Sequence, residues 1–288
     1  MAHISAQPAT AVTVSTRRKR AIPLFVMVGL VWIALVIGVA LTADWLRPYN
    51  ITAFDLKNRL SLPGNPAHWL GTDELGRDVL SRLLVSIRIS LLIAFGATLI
   101  SAFVGTLLGF LAAYFRGVVE QVVLMLADFQ AALPFLILAL AVLAFFGSSL
   151  TLLVCLMGFY GWERYARIAR GLAIAASGQG YASAVIQLGA KPGRVYLKHI
   201  LPNIASTLIV SMTLTFPEII LMESSLSFLG LGVQPPMTSL GNMVGYGREY
   251  LTRASWIMLA PSLVIMLTTL SISIVGDWLR DKLDPTVS

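Results

Sequence analysis

The residues of this 288-residue chain that are equipped for bond-making chemistry are few. Histidine occurs at His3, His68 and His199 and cysteine only at Cys155, so a metal has no ligand set to gather. The same scatter leaves no nucleophile with a histidine beside it, and Cys155 reads as packing. A phosphate-cradling GxxxxGK[ST] loop needs a Gly-Lys pair, and none occurs. What remains is charge. Asp128, Glu163 and Glu218 sit inside apolar runs, where an ionised group is costly and invites a functional reading. The segment from Tyr181 to Asn203, YASAVIQLGAKPGRVYLKHILPN, is polar and basic between two long apolar stretches. Such groups dock and pair rather than make bonds, so the chain reads as a non-enzyme that contacts something soluble.

The elements that position these charges are dictated by composition: 57% hydrophobic, 12% charged, mean hydropathy +0.81. A soluble domain is about 25% charged, whereas a helix crossing hydrocarbon needs about 20 mostly apolar residues. Six stretches qualify: Leu24 to Leu41, Ile87 to Tyr114, Val122 to Phe146, Leu150 to Ile168, Ile204 to Leu221 and Trp256 to Val275. Their continuity, in place of alternation, excludes a membrane barrel. Most flanking cations (RRKR at 17–20, Arg116, Arg164, Arg167, Arg170, Lys191, Arg194, Lys198, Arg280 and Lys282) share one side, which predicts both termini in the cytoplasm. The first run follows RRKR without a clean cleavage site and is expected to stay as a span. A net charge of +7 sits at span ends, where topology and anionic lipid account for it; no basic-aromatic groove points to nucleic acid.

Along the chain, 1–22 is expected as a cytoplasmic tail, 23–41 as the first helix and 42–86 as an outer loop. Residues 87–276 form the core, with a polar inner loop at 171–203 and an outer loop at 223–255, and 277–288 is a second cytoplasmic tail. In GTDELGRDVLSRL, 71–83, Thr72 or Asp73 is expected to cap an amphipathic helix. Phe115, Arg116 and Gly117 make a tight inner turn. In the polar loop one helix is expected from Ala173 to Leu188, ended by Gly189, and a second from Pro192 to about His199. Arg194 and Lys198, four apart, share its face. Asp128 and Glu163 are read as lying toward span ends, paired with nearby arginines or reaching the interface. Pro134 and Pro217 are read as tolerated kinks. A proton- or sodium-coupled carrier would instead gather its acids at the midplane, with Asp128 or Glu218 essential.

At these residues the chain resembles a known family. Gly189 followed by Ile200, Leu201 and Pro202 matches half of the EAA loop of ATP-binding-cassette importer permeases. GTDELGRDVLSRL, Asp128 with Pro134, YARIARG at 165–171, ESSLSFLGLGVQPP at 223–236, GNM at 241–243 and GDWLRDKLDP at 276–285 resemble the C-type permease subunit of the dipeptide/oligopeptide/nickel branch. The resemblance implies an all-α, six-helix, type I ABC importer permease (MetI-like) fold. It implies a heterodimer with a second homologous permease, two cytoplasmic ATP-binding subunits and a periplasmic or lipid-anchored substrate-binding protein. ATP and Mg would be used by the ATPase subunits, with no cofactor on this chain. The coupling helix would run over Tyr181, Ser183, Ala184, Leu188, Gly189, Ala190, Arg194, Lys198, Leu201 and Pro202. The family's Glu-Ala-Ala opening falls here on Ser183, Ala184 and Val185, so its carboxylate is missing. The outer loop, with Glu223, Phe228, Gly230, Gly232 and Asn242, would border the translocation path. Asp128, Pro134, Arg167 and Arg170 would serve structural roles. The expected cargo is a peptide or peptide-like solute, with nickel or opine-like solutes as the alternative.

Overall fold

In hydrocarbon every backbone N–H and C=O needs a partner within the protein, and continuous apolar runs meet that need as helices. The computed structural model describes residues 22–178 and 187–283, and among them has no strand beyond two isolated bridges. The helices are α1 (Leu24–Leu46), α2 (Val79–Phe115), α3 (Gly117–Ala132), α4 (Phe135–Phe146), α5 (Leu150–Gly158) and α6 (Trp162–Ser177). After them come α7 (Pro192–Phe228), α8 (Leu240–Gly247) and α9 (Trp256–Leu283). Within α7 a π turn, Tyr196–Ile200, joins Pro192–Val195 to Leu201–Phe228 without a stop, so the short helix expected to end near His199 runs on into the next span.

Among the described residues, α1, α2, α7 and α9 are long and apolar enough to cross a membrane, and α3 with α4 passes the same test only as a pair bent by 87°. The expected span from Val122 to Phe146 is therefore not kinked but broken. Leu133 is extended before Pro134, as a residue preceding proline prefers, and the two helices meet at 87°. The expected span from Leu150 to Ile168 is likewise divided. Helix α5 has only 9 residues, and Gly161 in the left-handed region restarts the chain as α6. The carbonyls freed at this break are not orphaned, because Ser101 Oγ of α2 donates to Gly158 O (2.7 Å) and Tyr160 O (2.5 Å). A turn forms at Arg116 and Gly117, both at positive φ.

Helix α2, 37 residues, is the central post. It packs against α1, α5, α6 and α7. Gly105 and Gly109, one turn apart, let α6 approach until a Cβ at Gly105 would lie 2.6 Å from Tyr165 Cβ, and one at Gly109 2.9 Å from Ala169 Cβ. Ala166, Ala169, Ala173 and Ala176 line the facing side of α6, the small-residue packing that membrane helices use in place of a hydrophobic driving force. Helix α1 is peripheral, tied to α9 by Trp32 Nε1 donating to Thr268 Oγ1 (3.2 Å) and to α2 by Arg88 on Ala40 O and Asp44. Most of its large apolar side chains are exposed, as lipid contact requires.

Gly105→Leu is expected to force α2 and α6 apart and cost about 1–3 kcal/mol or more. Gly38→Ala, where nothing lies within 4 Å, should stabilise by roughly 0.5–1 kcal/mol. Thermal unfolding of the two variants in one detergent measures the opposite signs.

Candidate functional site

The C-terminal end of α7 and the N-terminal end of α8 are built around one acid. Glu223 is fully buried. Its Oε1 accepts from Ser227 Oγ (2.6 Å) and Ser239 Oγ (2.7 Å), and its Oε2 from Ser90 Oγ of α2 (3.4 Å). Ser90 Oγ in turn accepts from Leu240 N (3.0 Å), and Ser239 caps α8 by accepting from Asn242 N (3.2 Å). Between the two helices the chain turns through Gly230, at positive φ, and folds back so closely that a Cβ at Gly232 would collide with Ser227 and one at Gly241 with Ser224. Asn242 Nδ2 donates to Val233 O, and Ser148 Oγ to Leu231 O (3.1 Å). Loop 229–239 is thus held by side chains from the α4–α5 connection, α7 and α8.

Below it α6 presents two faces. Opposite its alanines, Arg164, Arg167 and Arg170 recur every three residues and each finds an acid on a neighbouring helix. Arg164 Nη1 meets Glu218 Oε1 of α7 at 3.1 Å, Arg167 Nη1 meets Asp128 Oδ1 of α3 at 3.0 Å, and Arg170 forks onto Glu120 of α3, its Nε at 2.7 Å. The expectation that Asp128 pairs with an arginine holds. Glu163 does not pair: its Oε2 is buried without a hydrogen-bond partner.

At the N-terminal end of α7, Gly189 is left-handed (φ +78°) with Leu188 exposed beside it, and Pro192 opens α7 at its first turn. Val195 and Ile200 are buried against Phe110, Ala113 and the α6 alanines, and Tyr196 packs edge-on against Phe110 with ring centroids 5.2 Å apart. Arg194, Lys198 and Pro202 face outward; Ala190 and Leu201 are partly buried. Ala190, Pro192 and Tyr196, with Tyr114 and Arg116, border a cavity of about 410 Å³. Tyr181, Ser183 and Ala184 lie outside the described residues.

The outer loop is not a free helix. Asp73 Oδ1 accepts from Leu75 N and Arg77 N, both 2.9 Å, and its Oδ2 from Arg77 Nε (2.7 Å) and the buried Arg82. Asp73 is therefore consumed as an ionic hub, and the helix expected from Thr72 or Asp73 starts at Val79. Asp78 caps it, accepting from Ser81 N and Ser81 Oγ (both 2.7 Å) while also pairing with His68 Nδ1 (3.0 Å). On the loop surface, Asn58 Nδ2 donating to Asp55 Oδ2 (2.8 Å) holds that carboxyl below its ordinary range. Trp256 Nε1 donates to Thr72 O (3.2 Å) and fastens the loop to α9.

The sequence pattern of a family described as binding-protein-dependent transport system inner membrane component matches residues 105–288. The chain belongs to this family. It is 39% identical over 262 residues to the di/tripeptide transport system permease protein of Pseudomonas aeruginosa, covering 89% of this chain and 86% of that one. It is 36% identical to the oligopeptide transport system permease protein of Bacillus subtilis (90% and 85% covered) and 36% identical to the glutathione transport system permease protein of Pectobacterium atrosepticum (88% and 84%). This inner membrane transport component is accordingly a multi-pass helical protein with the type I permease fold that the resemblance implied.

Of the outer-loop residues expected to border the path, only Phe228 and Gly230 are open on the transport component's surface, Phe228 beneath Arg248 at 4.8 Å. Glu223, Gly232 and Asn242 are buried, and the Glu223 and Asn242 side chains hold the loop. Sequence reasoning missed Ser90, Ser227 and Ser239 as partners of Glu223. The i,i+4 spacing of Glu223 and Ser227 was the one available signal; Ser90 is more than a hundred residues away.

Ser239→Ala removes both a donor to a buried carboxyl and the α8 cap, and is expected to cost about 1–3 kcal/mol. It should also raise the proteolysis rate of loop 229–239. Asp73→Ala strands Arg82 in the interior and is expected to cost about 3–5 kcal/mol, read from the shift in unfolding temperature.

Proposed function

We propose that this chain is the permease subunit of an ATP-driven ABC importer that carries peptides or related peptide-like solutes. With a second, homologous permease it forms the translocation path; two cytoplasmic ATP-binding subunits hydrolyse ATP and Mg-bound nucleotide stays with them; a periplasmic or lipid-anchored binding protein delivers the cargo. Both termini lie in the cytoplasm, so α2 to α3 and the 178–203 region face the ATPases, and loops 47–78 and 229–255 face the binding protein. The observation that carries this reading is the near full-length identity to permeases named for di/tripeptide, oligopeptide and glutathione transport. Nickel or opine-like solutes on the same scaffold remain the alternative cargo, and the family gives no support to an ion-driven carrier.

Docking to an ATPase subunit falls to the surface after Gly189. Because Ser183 stands where the family has glutamate, the cations Arg194 and Lys198, exposed one turn apart on a helix anchored by Val195 and Ile200, carry the electrostatic part of the contact. ATP binding brings the two coupling surfaces together, and the helices transmit that motion outward as alternating access.

Affinity purification of the subunit in mild detergent is expected to recover a second permease and an ATPase. Arg194→Glu with Lys198→Glu should cut ATPase recovery on the order of tenfold at low salt, with the melting temperature unchanged. A lone chain that transports in ATP-free vesicles would overturn the importer reading.

A further inference from the structure

Two of the three α6 ion pairs lie where charge is least affordable. With Arg248 over the Phe228 ring, at the C-terminal end of α7, as a reference for the water boundary, Glu218 lies ten residues back along the helix, about 15 Å at the helical rise. With Arg116, just before α3, as the reference for the other boundary, Asp128 lies eleven residues along from Gly117, about 16 Å. Both depths fall near the middle of a hydrocarbon layer about 30 Å thick. Arg164 and Arg167, at 3.1 and 3.0 Å from these acids, share the depth.

These pairs are not hidden within the chain. Arg164 and Glu218 are 44% and 40% exposed, Arg167 and Asp128 42% and 75%. Charged side chains at that depth do not face acyl chains; they face protein or water. Directly below Arg164 a cleft of about 610 Å³ runs between α6, α7 and α9 down to Arg280. Asn203, Ser206, Thr207 and Ser211 line it at spacings of three and four, on the α7 stripe that reaches Glu218. A polar track therefore joins the mid-membrane pairs to the inner end of the span.

We infer that Arg164–Glu218 and Arg167–Asp128 line the translocation path at mid-membrane and select solutes that carry both a free ammonium and a free carboxylate. The inference rests on the importer reading and adds the solute's charge class to it. Cations come from α6 and anions from α3 and α7, so the cluster is neutral overall. A zwitterion exchanges its carboxylate onto an arginine and its ammonium onto the released acid, leaving no charge bare in the middle of the membrane. A metal cation meets arginines at both sites and would strand them, and an uncharged solute gains nothing from breaking the pairs. The hydroxyl track then supplies neutral hydrogen bonds on the way in.

The test uses the complete complex in liposomes, with Cys155→Ala as background and a membrane-impermeant cationic methanethiosulfonate. Glu218→Cys and, as a variant that leaves the ion pairs intact, Thr207→Cys are expected to react at least about tenfold faster than Leu35→Cys on lipid-facing α1. Dialanine should slow modification of Thr207→Cys several-fold, and N-acetyl-dialanine amide should not. Reaction of neither 218 nor 207 in a complex that imports dialanine overturns this inference and leaves the peptide importer standing; the pairs then seal an interface with the second permease. Equal effects of the two peptides, or none, overturn the zwitterion assignment. A complex that hydrolyses ATP but never imports dialanine removes the peptide reading itself.

Discussion

Burying a carboxyl group is costly unless its oxygens find donors, and Glu223 finds them on three separate elements of the fold. Ser90 belongs to the central helix α2, Ser227 to α7 and Ser239 to the cap of α8. Satisfying that one side chain fixes how far α8 sinks between α2 and α7, and the glycines at 232 and 241 are required because nothing larger fits at that distance. Breaking the network frees several polar groups at once. This end of the molecule, from the return loop to the contact of α8 with α9, follows from keeping that oxygen pair bonded.

The same demand organises the surroundings of α6. One side of this helix is reduced to alanine so that α2 can approach; the other carries arginines that no lipid would tolerate unpaired. Three acids from two neighbouring helices answer them. Close packing on one face and charge pairing on the other hold a helix of only moderate apolarity inside a membrane protein. The chain can stop as α5 and restart as α6 at Gly161 because Ser101 takes the carbonyls of Gly158 and Tyr160 that the break leaves open.

Features set by adjacent residues were legible in the sequence: the turn at Phe115 to Gly117, the start of a helix at Pro192 and the left-handed Gly189 all depend on local backbone preference. Long-range pairing was not. Thr72 and Asp73 look like a helix cap, yet the Asp73 carboxylate goes to Arg77 and to Arg82, and Asp78 takes the cap. The stretch from Leu150 to Ile168 reaches span length by its apolar count despite Glu163, Arg164 and Arg167, and that count hid the break at Gly161. Pro134 was visible, but whether proline bends a helix mildly or turns it by 87° depends on what packs around it. Glu223 carried no mark to separate a path-lining acid from a buried knot of hydroxyl donors, because its partners are drawn together only by the fold.

Helix α2 has a mechanical meaning of its own. It runs unbroken for 37 residues, about 55 Å, with the Arg82–Asp73 contact on its first turn and Phe110 and Tyr114 against Tyr196 near its last. Neither a proline nor a π turn interrupts it, in contrast to α7 and α9. A rod of that length pivoting by about 2° about one tip carries the other through about 2 Å, by simple geometry from the helical rise. It works as a lever: a displacement too small to disturb any single side-chain contact at one surface becomes a hydrogen-bond-sized step at the opposite one.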